Sequence, residues 1–265
     1  MLLLDLGNTR LKLAHAGAGD LDDVSAIAHR DNAAFHAQLL AELRRRREAG
    51  VVAEAWLSSV HHGPAMDEVL AALSTHDFVT RRIEQAQPRD DLRLAYADIS
   101  QLGVDRWLAM LGARVRFDGD LLLVSAGTAL TIDLLDASGQ HHGGCIAPSP
   151  MRIIDGLRLA APHLPRPEPG AILQRHSLFA TSTVDGLMAG AQGAIVGLVR
   201  EAMDEARDRL GRAPTLLLTG GGAPMLAKAL ESTLQPLTFR SAVLHGLAIL
   251  ASEDKRIDDR IGDAV

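Results

Sequence analysis

Leu2-Leu3-Leu4-Asp5-Leu6, then Gly7-Asn8-Thr9, then Arg10-Leu11-Lys12-Leu13-Ala14-His15 is the stretch on which the fold turns. A short apolar run, a glycine turn and a run alternating apolar with larger polar residues read as strand, tight turn, strand. The pattern returns 120 residues later. Leu121–Ser125 is apolar, Ala126-Gly127-Thr128 turns it, and Leu130–Leu135 runs back until Ser138-Gly139 turns again. Aligned on the glycines, Asp5-Leu6-Gly7-Asn8-Thr9 faces Ser125-Ala126-Gly127-Thr128-Ala129. The repeat predicts two similar domains, 1–116 and 117–265, each opening on a glycine turn between strands.

Between the two copies, strands and helices alternate. Asp31 or Asn32 caps a helix whose apolar residues Phe35, Leu39, Leu40 and Leu43 share one face, and Gly50 stops it. The run Arg44–Arg47 near its end reads as a solvated basic face. Val51–Val60 reads as a strand, Pro64–Leu73 as a helix, Phe78–Ile83 as a strand, and Ser100–Arg116 as a helix after a polar loop. In the second copy, Pro162–Pro169 is a loop, since proline suits neither helix interior nor central strand. Helices over Thr183–Leu210 and Ala223–Glu231 flank the strand Thr215–Thr219 and the triplet Gly220–Gly222. The charged tail Glu253–Asp263 reads as frayed.

Composition removes whole classes of function. The 265 residues carry 27 Lys+Arg against 33 Asp+Glu, a net charge of -6. That balance, with only two Trp, one Tyr and five Phe, provides neither a basic surface nor a stacking platform for nucleic acid. The single cysteine, Cys145, forms no intramolecular disulfide and reads as a small buried apolar residue. The start MLLLDLGNTRL has no basic region before its apolar run, so no secretory signal is expected. The apolar stretch Gly186–Val199 is too short for a membrane span, contains Gln192 and four glycines, and ends at Arg200. A cytoplasmic globule is the expectation.

The two glycine turns are the first candidates for chemistry. Such a turn aims backbone N–H groups at an anion, glycine admits close approach, and Thr9 or Thr128 adds a hydroxyl donor. A lone glycine turn is ordinarily only a turn; two in register, one beside a carboxylate, point to phosphate. Asp5 then stands where Mg²⁺ and its waters would meet the phosphates. Its simpler role is to cap its own turn. The chain has no GxxxxGK[ST], and its GxG at Gly17 and Gly19 lacks a third glycine. The Gly220–Gly222 loop either admits a flat ring or ribose, or serves only a positive φ.

Gly103-Val104-Asp105-Arg106 falls inside the Ser100–Arg116 helix, whose apolar face is Trp107, Leu108, Leu111 and Val115. The pair reads either as a surface ion pair or as a base beside an anion anchor. In the second reading Asp105 takes a hydroxyl proton and Arg106 grips a substrate carboxylate. An ordinary aspartate is already ionised at neutral pH and needs no large shift for that task. The pairs His61-His62 and His141-His142 point to opposite faces along a strand, cannot chelate together, and read as loop or edge residues.

These residues occur in an order that resembles the type III pantothenate kinases, once called Bvg accessory factor-like proteins. The motifs are Asp5-Leu6-Gly7-Asn8-Thr9, Tyr96 seven residues before Gly103-Val104-Asp105-Arg106, Gly127-Thr128-Ala129-Leu130-Thr131-Ile132-Asp133, Gly143-Gly144-Cys145-Ile146-Ala147-Pro148, and Thr183-Val184-Asp185 before Gly190 and Gly193. The resemblance runs from Asp5 to about Gly246. It implies an α/β fold of two ribonuclease H-like (actin-like ATPase) domains, with mixed sheets flanked by helices. It also implies ATP-dependent phosphorylation of pantothenate, the first step towards coenzyme A. On this resemblance Asp105 is the general base. Asp5, Leu6, Gly7, Asn8, Thr9, Arg10, Leu11, Lys12 and Thr128 hold ATP and Mg²⁺. Tyr96, Gly103, Val104, Asp105, Arg106 and Thr183 hold pantothenate. It further implies a homodimer with the substrate site near the subunit interface, the Gly186–Val199 helix being the candidate contact.

Two positions depart from the family pattern. The family commonly has an aspartate three residues before the threonine of its Gly-Thr signature, where a monovalent cation, K⁺ or NH₄⁺, is held. Here that residue is Ser125, whose neutral hydroxyl coordinates such an ion less strongly, so K⁺ activation is expected to be weak or absent. Ser149 replaces the glycine that usually follows the proline, which is expected to restrict that loop. Two other functions remain alternatives: a non-catalytic regulator, as the older family name suggests, and a kinase for another small hydroxy acid. The joint presence of Asp5, Asp105, Arg106 and Thr128 speaks against the regulator, which needs no base beside an anion clamp.

Overall fold

The computed structural model describes residues 1–265 except 18, 19, 30, 61, 62, 169, 171–176 and 263–265, with side chains described up to 254. Its elements are β1 (Leu2–Leu6), β2 (Arg10–Ala16), β3 (Leu21–Ala28), α1 (Asn32–Glu48), β4 (Glu54–Ser59), α2 (Pro64–Thr75), β5 (Val79–Ile83), α3 (Val104–Arg116), β6 (Leu121–Ala126), β7 (Ala129–Leu135), β8 (His141–Pro148), α4 (Pro150–Ala160), α5 (Thr183–Leu210), β9 (Thr215–Thr219), α6 (Ala223–Leu234), β10 (Leu237–Thr238) and α7 (Ala242–Gly262). They form two five-stranded sheets, β3-β2-β1-β4-β5 and β10-β9-β6-β7-β8.

The repeat seen in the sequence is a repeat of topology. In each sheet the strand before the glycine turn pairs antiparallel with the strand after it, β1 with β2 and β6 with β7. It also pairs parallel with a later strand, β1 with β4 and β6 with β9. Every residue of β1 is buried, as a central strand covered on both faces requires. Leu2, Leu4, Leu6, Leu11 and Leu13 join Phe35, Leu39 and Leu43 of α1 and Val69 and Leu73 of α2 in one core. In the second sheet Leu122, Val124, Ile132 and Leu218 pack with Ile195 and Val199 of α5 and Leu226 of α6.

The compact units are not the two continuous halves drawn from the sequence. One comprises Met1–Pro88, Tyr96–Arg116 and Ser241–Val265, the other Arg89–Ala95 and Phe117–Arg240. The chain from Ser241 returns to the first unit because α7 lies backbone to backbone against α3. A Cβ at Gly246 would stand 2.1 Å from the Leu108 carbonyl oxygen, so only glycine permits this approach. The tail read as frayed is helical as far as Gly262.

Other local readings change for identifiable reasons. Strand β3 is missing from the sequence reading because Leu21–Ala28 has no apolar alternation; it is a mostly exposed edge strand. Arg46 of the supposed solvated run is fully buried. Its Nε donates to Glu42 at 3.0 Å and its Nη2 to the Asp23 carbonyl at 2.6 Å. His141 does stand on an edge strand, β8, but is wholly buried there, with Nε2 3.1 Å from Asp133 of the neighbouring strand. Cys145 is exposed, not buried, on the edge strand β8 opposite Ile132 of β7. Val115, assigned to the apolar face of α3, is exposed as well. Residues 61 and 62 lie outside the described residues.

Candidate active site

Asp5 ends β1 and is buried, at 6% exposure. Its register partners are Lys12 on β2 and Ser58 on β4, so the three side chains form a row across one face of the sheet. The Lys12 Nζ donates to Asp5 Oδ2 at 3.2 Å, so Asp5 does not cap its own turn. Two residues on, the Gly7 N–H donates to the Arg10 carbonyl at 3.1 Å and closes the turn. Leu6 and Leu11 are buried, whereas Asn8 and Arg10 are exposed and Thr9 is half-buried at the tip.

Neither turn needs its glycine for conformation. Gly7 and Gly127 both lie outside the left-handed region, and a Cβ at either would make only ordinary contacts, at 3.6 and 3.5 Å. Gly220 is the opposite case, with φ of +89° and a Cβ position 2.4 Å from the Ala126 carbonyl oxygen. The positive-φ reading of the Gly220–Gly222 loop is therefore correct. The loop also supports the second turn, since the Gly222 N–H donates to the Ala126 carbonyl at 2.9 Å.

In the second unit Ser125 takes the place in β6 that Asp5 holds in β1. Its register partners are Thr131 and Thr219, so this row carries only neutral hydroxyls. Thr128 sits half-buried in the turn. Thr183 opens α5 behind an N-cap, Ser182, whose Oγ accepts the Asp185 N–H at 3.2 Å. It also lines an apolar cavity of about 400 Å³ between α4 and α5, with Ile153, Leu157 and Leu187. Ser149, in place of the family's glycine, has φ of −63°, a value any residue adopts without strain.

Gly103-Val104-Asp105-Arg106 spans the start of α3 rather than lying in a helix interior. Gly103 precedes the helix, and its carbonyl accepts the Trp107 N–H at 3.2 Å. Asp105 occupies the first turn, where a carboxylate complements the positive end of the helix, and its Oδ1 accepts the Arg106 N–H at 2.8 Å. A Cβ on Gly103 would come within 2.7 Å of that oxygen. Arg106 is 5% exposed, so the pair is no surface ion pair. Its Nη1 donates to the Tyr96 hydroxyl at 3.0 Å.

Two residues absent from the sequence reading shape these sites. Asp98 accepts hydrogen bonds from the Ser100 hydroxyl at 2.6 Å, the Ser100 N–H at 3.0 Å and Gln101 at 3.1 Å. These bonds hold its carboxyl below the usual range and order the loop between Tyr96 and Gly103. The Asp-x-Ser spacing was its available signal. His29, just after β3, bonds to the Gly7 carbonyl; nothing in the sequence marked it, because β3 itself was unmarked.

The family pattern "Type III pantothenate kinase" matches residues 1–205. The chain belongs to the type III pantothenate kinases. A type III pantothenate kinase of Xanthomonas campestris pv. campestris (strain B100) is 41% identical over 251 residues, covering 94% of this chain and 96% of that one. One of Xanthomonas oryzae pv. oryzae (strain PXO99A) is 39% identical over 252 residues, with the same coverage. Among solved structures, a Sinorhizobium meliloti protein described as a 2-dehydro-3-deoxygalactonokinase superposes with a TM-score of 0.57 at 16% identity, over 94% of this chain and 97% of its own. The activator of 2-hydroxyisocaproyl-CoA dehydratase from Clostridium difficile, with bound ADPNP, gives 0.56 at 12% identity, over 98% and 97%. At those identities the likeness is one of fold: two mixed sheets flanked by helices, as in actin-like ATPases and sugar kinases.

Proposed function

We propose that the chain transfers the terminal phosphoryl group of ATP to the primary hydroxyl of pantothenate, giving 4'-phosphopantothenate and ADP, with Asp105 as base. The activity is that of the family. The observation that carries the residue roles is the start of α3, where Asp105 in the first turn adjoins a buried Arg106 bonded to Tyr96.

The Asp105 carboxylate accepts the hydroxyl proton as the new O–P bond forms and the bond to the ADP oxygen breaks. Arg106 holds the pantothenate carboxylate, with Tyr96 and the Gly103–Val104 backbone as its setting and Thr183 as a further donor. The turn amides of residues 7–9, Lys12 and Thr128 bind ATP phosphates. Positioning and charge neutralisation, rather than covalent catalysis, lower the barrier.

No group of three or more His, Cys, Asp and Glu side chains among the described residues is placed to hold a metal alone. Asp5 fits Mg²⁺ in its usual manner, through one carboxylate, water and substrate phosphates. Mg²⁺ there would neutralise phosphate charge. The Ser125 row does not fit a carboxylate-bound monovalent cation, so no step depends on K⁺ or NH₄⁺. Exposed Leu157 and Leu159 on α4, beside the cavity that Thr183 lines, support a homodimer built on the α4–α5 face. No described helix is long and apolar enough to cross a membrane. A cytoplasmic reaction fits the use of ATP and pantothenate as substrates.

The test is ADP release from MgATP with and without pantothenate, for the wild type and Asp105→Asn, each with and without K⁺. Asn retains the Oδ1 that caps the Arg106 N–H, so the variant folds and loses about 10²- to 10⁴-fold in kcat. The K⁺ arm leaves wild-type turnover nearly unchanged. An active Asp105→Asn enzyme removes the base, and a folded wild type without pantothenate-dependent turnover removes the reading.

A further inference from the structure

The turn that carries Gly7 is held from outside by one residue that the reaction itself does not use. His29 is buried, and its Nε2 lies 2.8 Å from the Gly7 carbonyl oxygen. Its backbone N–H donates to the Thr9 carbonyl at 3.3 Å. Its ring stands edge-on to Phe35 of α1, with centroids 5.8 Å apart. A carbonyl can only accept, so the Nε2 of His29 carries the proton and donates.

Peptide planarity turns these bonds into a statement about anion binding. The Gly7 carbonyl and the Asn8 N–H are opposite ends of one trans peptide, and no cis peptide bond occurs among the described residues. Holding that carbonyl on His29 directs the Asn8 N–H to the other side. The same reasoning joins the Thr9 carbonyl to the Arg10 N–H. Two carbonyl dipoles that would repel a phosphate oxygen are thus both engaged on His29, one by its ring and one by its backbone. Only the ring bond depends on the side chain.

We propose that His29 is a positioning residue for ATP, fixing the Gly7–Asn8 peptide with its N–H available to phosphate. The proposal rests on the reading of residues 7–9 as a phosphate turn.

Steady-state kinetics on His29→Phe and His29→Gln test it. Phe keeps the contact with Phe35 and loses the donor; Gln returns an N–H donor at the reach of Nε2. His29→Phe raises KM for MgATP about tenfold, the scale of one lost hydrogen bond in a binding site, and leaves KM for pantothenate unchanged. His29→Gln recovers most of that loss. An unchanged MgATP KM in His29→Phe, or a Gln variant no better than Phe, overturns the proposal. A measurement without any variant applies if Phe fails to fold. In ¹⁵N-histidine spectra of the wild type, neutral His29 is protonated at Nε2, and protonation at Nδ1 alone overturns the proposal. Lys12→Met separates the two readings. An unchanged MgATP KM there removes the phosphate turn and this proposal with it. A raised KM there, with His29→Phe normal, removes His29 alone.

Discussion

The Arg106 guanidinium donates to the Tyr96 hydroxyl at 3.0 Å and stands 5.8 Å from the centre of the same ring. One aromatic side chain therefore sets both the direction and the depth of the cation assigned to the pantothenate carboxylate. A bidentate grip on a carboxylate needs a fixed guanidinium plane.

Tyr96→Phe keeps the ring and removes the oxygen. KM for pantothenate is expected to rise about ten- to a hundredfold, the value of one hydrogen bond to a charged group, with KM for ATP unchanged. Separate titrations of the two substrates read the split. Equal changes in both KM values would place Tyr96 outside the pantothenate site.

Gly103→Ala tests the base without touching it. The new Cβ, 2.7 Å from Asp105 Oδ1, displaces the carboxylate, while the position before α3 has no positive φ to strain. Misplacement of a catalytic group by about 1 Å costs on the order of 10²-fold, so kcat falls on that scale at an unchanged melting temperature. Full activity in Gly103→Ala contradicts a role for Asp105 that depends on its position.

Arg46 makes a stability prediction in the other half of the first sheet. Arg46→Leu leaves Glu42 and the Asp23 carbonyl without their buried partner. The expected loss is about 3 kcal/mol, the cost of breaking a buried charged pair. Arg44→Ala, two residues away and exposed, changes stability by less than about 0.5 kcal/mol. Urea midpoints for the two variants compare them directly.

Acid stability follows from the same cluster. Hydrogen bonds from Arg45, then from Ser25 and Arg46, lower Glu42 from 4.5 to about 2. A bidentate contact with Arg212 lowers Asp120 in the second unit. A carboxylate held low in the fold contributes stability above its unfolded value and loses it as pH falls through its folded one. Glu42 therefore contributes fully above pH 4.5 and progressively less down to about pH 2. His245 adds to the slope from higher pH. Burial, reinforced by Arg116 and opposed by Asp20, holds its imidazole below the ordinary 6.5, so protonation below that pH favours unfolding. Melting temperature is expected to fall steadily from pH 7 to pH 3, and Glu42→Gln to flatten the acid end. A variant with the wild-type slope would remove Glu42 from the account.

Much of this protein was legible as sequence because the deciding signals are local. Short apolar runs on either side of Gly7 and Gly127 specify strand, turn and strand. The limits of α5, Thr183–Leu210, are those expected from the sequence, and the order of the motifs was enough to place the chain in its family. What tertiary structure decided lies where a residue's role depends on a partner far along the chain. Arg46 and Arg44 are alike in sequence, but only Arg46 meets Glu42, Ser25 and Asp23 across an edge strand. Leu21–Ala28 has no strand pattern of its own and becomes β3 by pairing with β2. Gly246 looks like any helical glycine until α7 lies on Leu108. His29 carries no motif, and only the fold brings its ring to the Gly7 carbonyl. Local propensity and hydrophobic period set the elements; burial, close approach and long-range hydrogen bonds, which sequence spacing does not encode, assigned these residues their tasks.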